Sequence, residues 1–254
     1  MGARRPLGTC VFALALVLTT LIAPAASALP GPHPATPSRP HIVGGSDASE
    51  NYPYAAVLEN GNSLVCTGTL IAPQWVQTAG HCVAGNTDWQ IRVGSNDRTS
   101  GGDFVTYTTI AVGPGDMALI QLANPVSETP APIADSAPPP GTPVRQLGWG
   151  VTSDPLAAGD PPAMLQQLDT TIADPKTCNG LEDNQICVNN VNGSAGVCYG
   201  DSGGPLLAKV NGAWQLIGSV IGAGYQGKCG KGPSVYQNVA AFKSWISGLT
   251  GTKA

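Results

Sequence analysis

From residue 42 onward the chain is a succession of short apolar runs cut by Gly, Pro, Asn and Asp. The runs are Val65 to Ile71, Trp75 to Thr78, Phe104 to Val112, Met117 to Leu122, Val144 to Gly148, Gln166 to Ile172, Gly204 to Val210 and Trp214 to Ile221. Their shortness, their β-branched and aromatic content and the turn formers around them predict strands. Only Val239 to Leu249 carries a helical period, with Phe242, Trp245, Ile246 and Leu249 on one face. Many short strands followed by one terminal helix predict an all-β fold of antiparallel barrels or a sandwich. The Pro-rich stretch Pro130–Pro143 divides the strands into two groups, roughly 42–140 and 141–254, so two barrels of similar size are expected. No internal repeat is visible.

The segment before residue 42 has a different pattern. Arg4 and Arg5 precede an almost wholly apolar run from Leu7 to Ile22, and Ala26-Ser27-Ala28 follows as a small-residue cleavage site. That order predicts a secretory signal over 1–28, because the apolar run is short for a spanning helix. Residues 29–41 hold Pro30, Pro32, Pro34, Pro37 and Pro40, cannot pack a core, and read as an extended propeptide. Export places the protein outside the cell and removes Cys10. Six cysteines remain, Cys66, Cys82, Cys178, Cys187, Cys198 and Cys229, and read as three disulfides with the connectivity open. No CxxC pair or nearby histidine cluster completes a zinc site, so no metal or other cofactor is expected.

Composition narrows the partners. The 254 residues include 33 Gly, 23 Pro and only 11% charged residues, and no block of Lys or Arg suggests nucleic acid. Removing residues 1–41 takes Arg4, Arg5 and Arg39 with it and moves the formal charge from −4 to −7. An acidic surface favours solubility and leaves the substrate open. No later stretch is long and apolar enough to span a bilayer, so no membrane contact is expected once the signal is gone.

The chemistry centres on Cys198-Tyr199-Gly200-Asp201-Ser202-Gly203-Gly204-Pro205. Glycines on both sides of Ser202 allow a sharp turn and close approach to a substrate. The N–H groups of Gly200 and Ser202 would hold a developing oxyanion. A serine hydroxyl is a weak nucleophile and needs a base. His33 and His41 fall in the leader, which leaves His81, in Thr78-Ala79-Gly80-His81-Cys82, as the one histidine after residue 41. Its ordinary pKa suits it to the role. An acid to orient the imidazole is offered by Asp116, which opens the apolar run Met117-Ala118-Leu119-Ile120. Asp97 and Asp103 compete for that place but precede no such run.

With these pieces placed, the chain resembles the chymotrypsin-like, trypsin-fold secreted serine proteases from Ile42 to about Gly248. The motifs are Ile42-Val43-Gly44-Gly45, Thr78-Ala79-Gly80-His81-Cys82, Asp116-Met117-Ala118-Leu119-Ile120, Gly148-Trp149-Gly150, Gly200-Asp201-Ser202-Gly203-Gly204-Pro205 and Asn211-Gly212-Ala213-Trp214. The resemblance implies two six-stranded antiparallel barrels within a protease domain spanning 42–254, with the site between them. It implies the pairs Cys66–Cys82, Cys178–Cys187 and Cys198–Cys229. It also implies a catalytic triad of His81, Asp116 and Ser202, with the oxyanion held by Gly200 and Ser202. The free ammonium of Ile42 would pair with Asp201 after cleavage of a zymogen. The expected partners are protein or peptide substrates and proteinaceous inhibitors, with the chain acting as a monomer.

The chain departs from the family at four points. His41 precedes Ile42 where activation usually follows Arg or Lys, and Arg39 precedes Pro40. The stretch between His81 and Asp116 is short, which removes the family's calcium loop. Ile221 stands where a serine often supports the triad acid. The residue six before the nucleophile, at the floor of the specificity pocket, is Gly196, followed by Val197, with Ala223 and Ser234 in the walls. A floor without a carboxylate predicts uncharged apolar side chains before the cut, since a buried Arg or Lys would be unpaired. Ala223 should narrow the slot. Two rival readings exist. A non-catalytic binding protein on the same fold would usually have lost a triad residue, and an esterase would place Gly-x-Ser-x-Gly before its histidine. Asn192-Gly193-Ser194 is a glycosylation sequon.

Overall fold

The computed structural model describes residue 2 and residues 42–61, 63–85, 89–153, 160–223 and 228–252. The proposed signal over 1–28 and propeptide over 29–41, Arg39 and His41 included, fall outside the described residues save for Gly2. From Ile42 on, all described structure belongs to one unit, Arg39–Ala254.

Two antiparallel sheets account for the strands. In spatial order the first holds β6 (Asp103–Val105), β5 (Gln90–Val93), β2 (Ala55–Asn60), β3 (Ser63–Ala72), β4 (Trp75–Thr78), β8 (Ala118–Leu122) and β7 (Tyr107–Val112). Its two edges, β6 and β7, are separated in sequence by Thr106 alone. One chain run therefore pairs with β5 at its start and with β8 at its end, and the sheet closes into a barrel. Counted as one strand, that run gives the six expected.

The second sheet runs β1 (Ser46–Asp47), β10 (Gln166–Thr171), β9 (Pro143–Gly148), β12 (Pro205–Val210), β13 (Ala213–Ala223), β14 (Ser234–Asn238) and β11 (Gln185–Val188). A bridge between Ile172 and Val188 joins the end of β10 to β11 and closes this barrel as well. The two-residue β1 is an addition: the segment after Ile42 pairs onto β10.

Apolar side chains fill both interiors. Val57, Leu58, Leu70, Val76, Ile91, Leu119 and Ile120 pack in the first barrel, in a cluster that continues into Leu147, Trp149, Leu207 and Leu216 of the second. Val144, Ile186, Val188, Leu206, Ile217 and Tyr236 form the remainder of the second core. The barrels thus share an apolar seam. The expected terminal helix begins as a 3₁₀ turn, Val239–Phe242, and becomes α-helical over Lys243–Thr250 (α2). Gly251 ends it in the left-handed conformation. Ile246 is buried and Phe242 and Trp245 pack on the core, but Leu249 is 39% exposed and not part of the buried face.

Candidate active site

Strand β4 ends at Thr78 and the chain passes through extended Ala79 into a single helical turn, Gly80–Val83 (α1). This turn carries His81. The Cys66–Cys82 disulfide ties it to β3. Asp116 lies between β7 and β8. Gly115 before it has φ +63, a conformation glycine favours, and a Cβ there would come within 2.4 Å of the end of the Gln237 side chain. Gln237 is buried and its Oε1 accepts from Asp116 N–H at 3.2 Å.

His81 and Asp116 are joined twice. The His81 backbone N–H donates to Oδ1 at 2.8 Å, and Nδ1 meets Oδ2 at 2.7 Å. The hydrogen bond to Asp116 lifts the imidazole pKa above its ordinary value, against the opposing effect of burial. Burial pushes the Asp116 carboxyl up, but bonds from the His81 ring and backbone, its charge and Gly80 N–H outweigh that and leave it below its ordinary value. Of the competing acids, Asp97 is engaged by Thr99 and Ser100 in an exposed turn, and Asp103 opens β6. Neither bonds His81 among the described residues. Ile221 lies at a bulge between Val220 and Gly222. Among the described residues no hydroxyl bonds the Asp116 carboxylate.

Ser202 and His81 line one cleft of about 460 Å³, with Leu64, Val151, Pro161, Tyr199 and Gly200. Among the described residues Ser202 Oγ forms no hydrogen bond; such bonds often tighten only with substrate present. Around the serine the peptide carbonyls are pinned. Tyr199 O accepts from Val151 N at 2.8 Å, Gly200 O from Thr67 Oγ1 at 2.8 Å, and Asp201 O from Gly204 N at 2.9 Å. In a trans peptide the N–H points opposite its C=O. The N–H groups of Gly200 and Ser202 are thereby turned away from these partners, and neither donates a bond among the described residues. Two free donors flanking a serine suit a developing oxyanion. Pro161, in the cleft wall, is held by the Arg98 guanidinium, which also bonds Pro162 O at 3.0 Å and pairs with buried Glu59 at 2.8 Å.

Asp201 is fully buried, with Oδ1 accepting from Gly150 N and Oδ2 from Cys198 N, each at 2.8 Å. Desolvation pushes its pKa up to about 7 despite those bonds. Ile42 is fully buried too, beside Leu168 and Ala195 in the second barrel. Val197 and Ser234 are buried, and Ala223 pairs directly with Ser234 across β13 and β14. A Cβ at Gly196 would find Ser234 Oγ at 3.2 Å, Asn190 Nδ2 at 3.8 Å and Gly230 Cα at 3.9 Å, none of them a carboxylate. The remaining disulfides are Cys178–Cys187 and Cys198–Cys229. Cys66, His81 and Cys82 form the one metal-like cluster among the described residues, but its two sulfurs are bonded to each other and are not free to ligate.

Sequence reasoning missed Thr67, Gln237 and Asn190. All three act through hydrogen bonds to backbone atoms distant in sequence, and a polar residue within or just after a strand carries no sign of its partner.

The model for the trypsin family matches residues 42–246. "Trypsin 5G1" of Aedes aegypti is 31% identical over 87% of this chain and 91% of its own length. "Trypsin" of Sarcophaga bullata is 34% identical over 81% of this chain and 87% of its own. "Transmembrane protease serine 11C" of Mus musculus is 29% identical over 83% of this chain and 54% of its own. The chain belongs to the trypsin family and is a serine endopeptidase, a hydrolase acting on protein substrates.

Proposed function

We propose that Ser202, His81 and Asp116 form the catalytic triad, with the Gly200 and Ser202 N–H groups as the oxyanion hole. The observation that carries this reading is the two-point bond between His81 and Asp116 on a cleft that Ser202 also lines. Ser202 Oγ attacks the scissile carbonyl as His81 takes its proton. The tetrahedral oxyanion is held by the two N–H groups. His81 then protonates the departing amine, leaving an acyl-enzyme that water hydrolyses by the same steps. Asp116 fixes the imidazole tautomer and stabilises the imidazolium.

The substrate residue before the cut is uncharged and apolar, because among the described residues the three atoms nearest a Cβ at Gly196 include no carboxylate to pair with a cation. The relatives named trypsin do not carry that preference over by name. The protein is made with a signal over 1–28 and a propeptide over 29–41, is secreted as a zymogen, and works as a monomer. Cleavage before Ile42 frees an ammonium that pairs with Asp201. Burial of an Asp201 carboxylate with only two backbone donors supports this reading, since a cation relieves the desolvation. Among the described residues no helix is long and apolar enough to cross a membrane.

A fluorophosphonate followed by peptide mass spectrometry tests the assignment. One adduct on Ser202, lost in Ser202→Ala together with turnover, is expected. A folded protein that takes no label and hydrolyses no activated ester would overturn the triad and favour a binding protein on this fold.

A further inference from the structure

Thr67 sits in β3 of the first barrel, fully buried, and its polar atoms reach toward the nucleophile loop and the base. Its N–H donates to Ser202 O at 2.9 Å, and its Oγ1 donates to Gly200 O at 2.8 Å. Its own carbonyl accepts from Thr78 Oγ1 at 2.8 Å, three residues before His81. The backbones are in direct contact: a Cβ at Gly203 would lie 2.4 Å from Thr67 O, and one at Gly204 would lie 3.1 Å from Thr67 Cγ2.

We propose that the Thr67 hydroxyl is a positioning residue for the oxyanion hole: by holding the Gly200–Asp201 peptide it fixes the torsions at Gly200, through which the preceding peptide, carrying the Gly200 N–H, is aimed into the cleft. The inference rests on the reading of Gly200 and Ser202 as the hole. Gly200 has φ +96, where it lacks the constraint a side chain would impose, so its conformation is set by what its two flanking peptides bond. The peptide before it is anchored at Tyr199 O by Val151. The peptide after it is anchored at Gly200 O by Thr67 Oγ1 and at Asp201 N by Cys198 O at 3.1 Å. Without the Thr67 donor, the Gly200–Asp201 peptide is held at the Asp201 N–H alone, and the Gly200 torsions that aim the preceding peptide's N–H are less firmly fixed. A hole donor that has to be reoriented during the reaction loses the benefit of preorganisation.

The test compares mature wild type, Thr67→Val, which keeps shape and removes the hydroxyl, and Thr67→Ser, which keeps the hydroxyl. The measurements are kcat and KM on a peptide anilide, and inhibition by a peptide aldehyde and by its alcohol. The aldehyde forms a hemiacetal whose oxygen occupies the hole; the alcohol does not. Removing a hole donor outright costs about 10²–10³-fold in kcat, so loosening one should cost about 10-fold in Thr67→Val with KM nearly unchanged. Aldehyde affinity falls by the same factor, alcohol affinity stays, and Thr67→Ser restores both. Equal weakening of aldehyde and alcohol, or kcat within about twofold of wild type in Thr67→Val, overturns the inference. If Thr67→Val does not fold, Thr67→Ser against Thr67→Ala isolates the hydroxyl by the same readouts, and equal kcat in those two overturns it. Fluorophosphonate labelling separates the two failures: an unlabelled wild type sinks the triad reading, whereas a labelled Thr67→Val with unaltered kcat sinks this inference alone.

Discussion

Gly196→Asp is the sharpest perturbation of the specificity argument. Position 196 has an ordinary backbone conformation, so an L side chain is not strained there. The new Cβ would meet Ser234 Oγ at 3.2 Å, a contact relieved by a shift of a few tenths of an ångström. The carboxylate would lie near two donors. Asn190 Nδ2 already serves Gly230 O at 2.9 Å and Gly232 O at 3.0 Å, which leaves the Ser234 hydroxyl as the free one. A buried carboxylate with one neutral partner costs more than the roughly 1–3 kcal/mol of an unpaired neutral group, so the free variant should unfold at lower denaturant than wild type. An Arg or Lys side chain entering the pocket changes the balance. At about 4 Å and an effective dielectric near 20 the pair gains roughly 4 kcal/mol, equivalent to about 10³-fold in kcat/KM. The assay is a panel of chromogenic peptides differing only in the residue before the cut, run on both proteins beside urea unfolding. Wild type should turn over Leu, Val and Ala peptides and neglect Arg; the variant should gain Arg and Lys activity by a factor of that order. Wild-type preference for Arg would refute the reasoning at once. So would a folded variant that stays indifferent to charge, because the new carboxylate would then not face the pocket.

Two further outcomes follow from the ionisable groups. The rate should rise with pH through the His81 pKa, which the Asp116 bond holds above the ordinary 6.5. In Asp116→Asn the acid limb should move to lower pH and the plateau fall by about 10⁴-fold, and an unmoved limb would free His81 from its assigned role. Asp201 in the uncleaved chain has a folded pKa raised from 3.8 to about 7, so its contribution to stability is present below its unfolded pKa and is lost as pH rises through about 7. That loss is on the order of 4 kcal/mol. Asp201→Asn should flatten this dependence between those two pH values, and urea midpoints that keep the wild-type slope would place its origin elsewhere.

Where pattern and burial agree, the strands could be read from the chain. Trp75 to Thr78 and the runs ending at Leu122 and Val210 match β4, β8 and β12 to within a residue, because apolar runs there are bounded by turn formers. β2 escaped detection because Ala55–Leu58 are buried on both faces, which erases the alternation expected of a half-buried strand. β14 escaped because its buried positions include Ser234 and Gln237. Their polar atoms face Gly196 and the Asp116 loop, so polar contacts override the hydrophobic pattern there. His81, Asp116 and Ser202 could be nominated from the sequence because each sits in a local motif. The bonds that hold Asp116 N, Gly200 O and Ser202 O come from Gln237 and Thr67, 121, 133 and 135 residues away respectively, and no local pattern carries them.

The same residues explain why a site made of two barrels can be accurate. The shared apolar cluster supplies attraction between the barrels, but apolar contact tolerates small slips, whereas a buried polar group that loses its partner carries the full desolvation cost. Gln77 of β4 donates across the seam to Ser219 Oγ of β13 at 2.6 Å, Gln237 of β14 accepts from Asp116, and Thr67 of β3 grips both Gly200 and Ser202. One relative placement of the barrels satisfies all three at once. A shift large enough to separate Ser202 from His81 would break several of these bonds together, so registration of the proposed triad rests on these polar groups as well as on apolar packing.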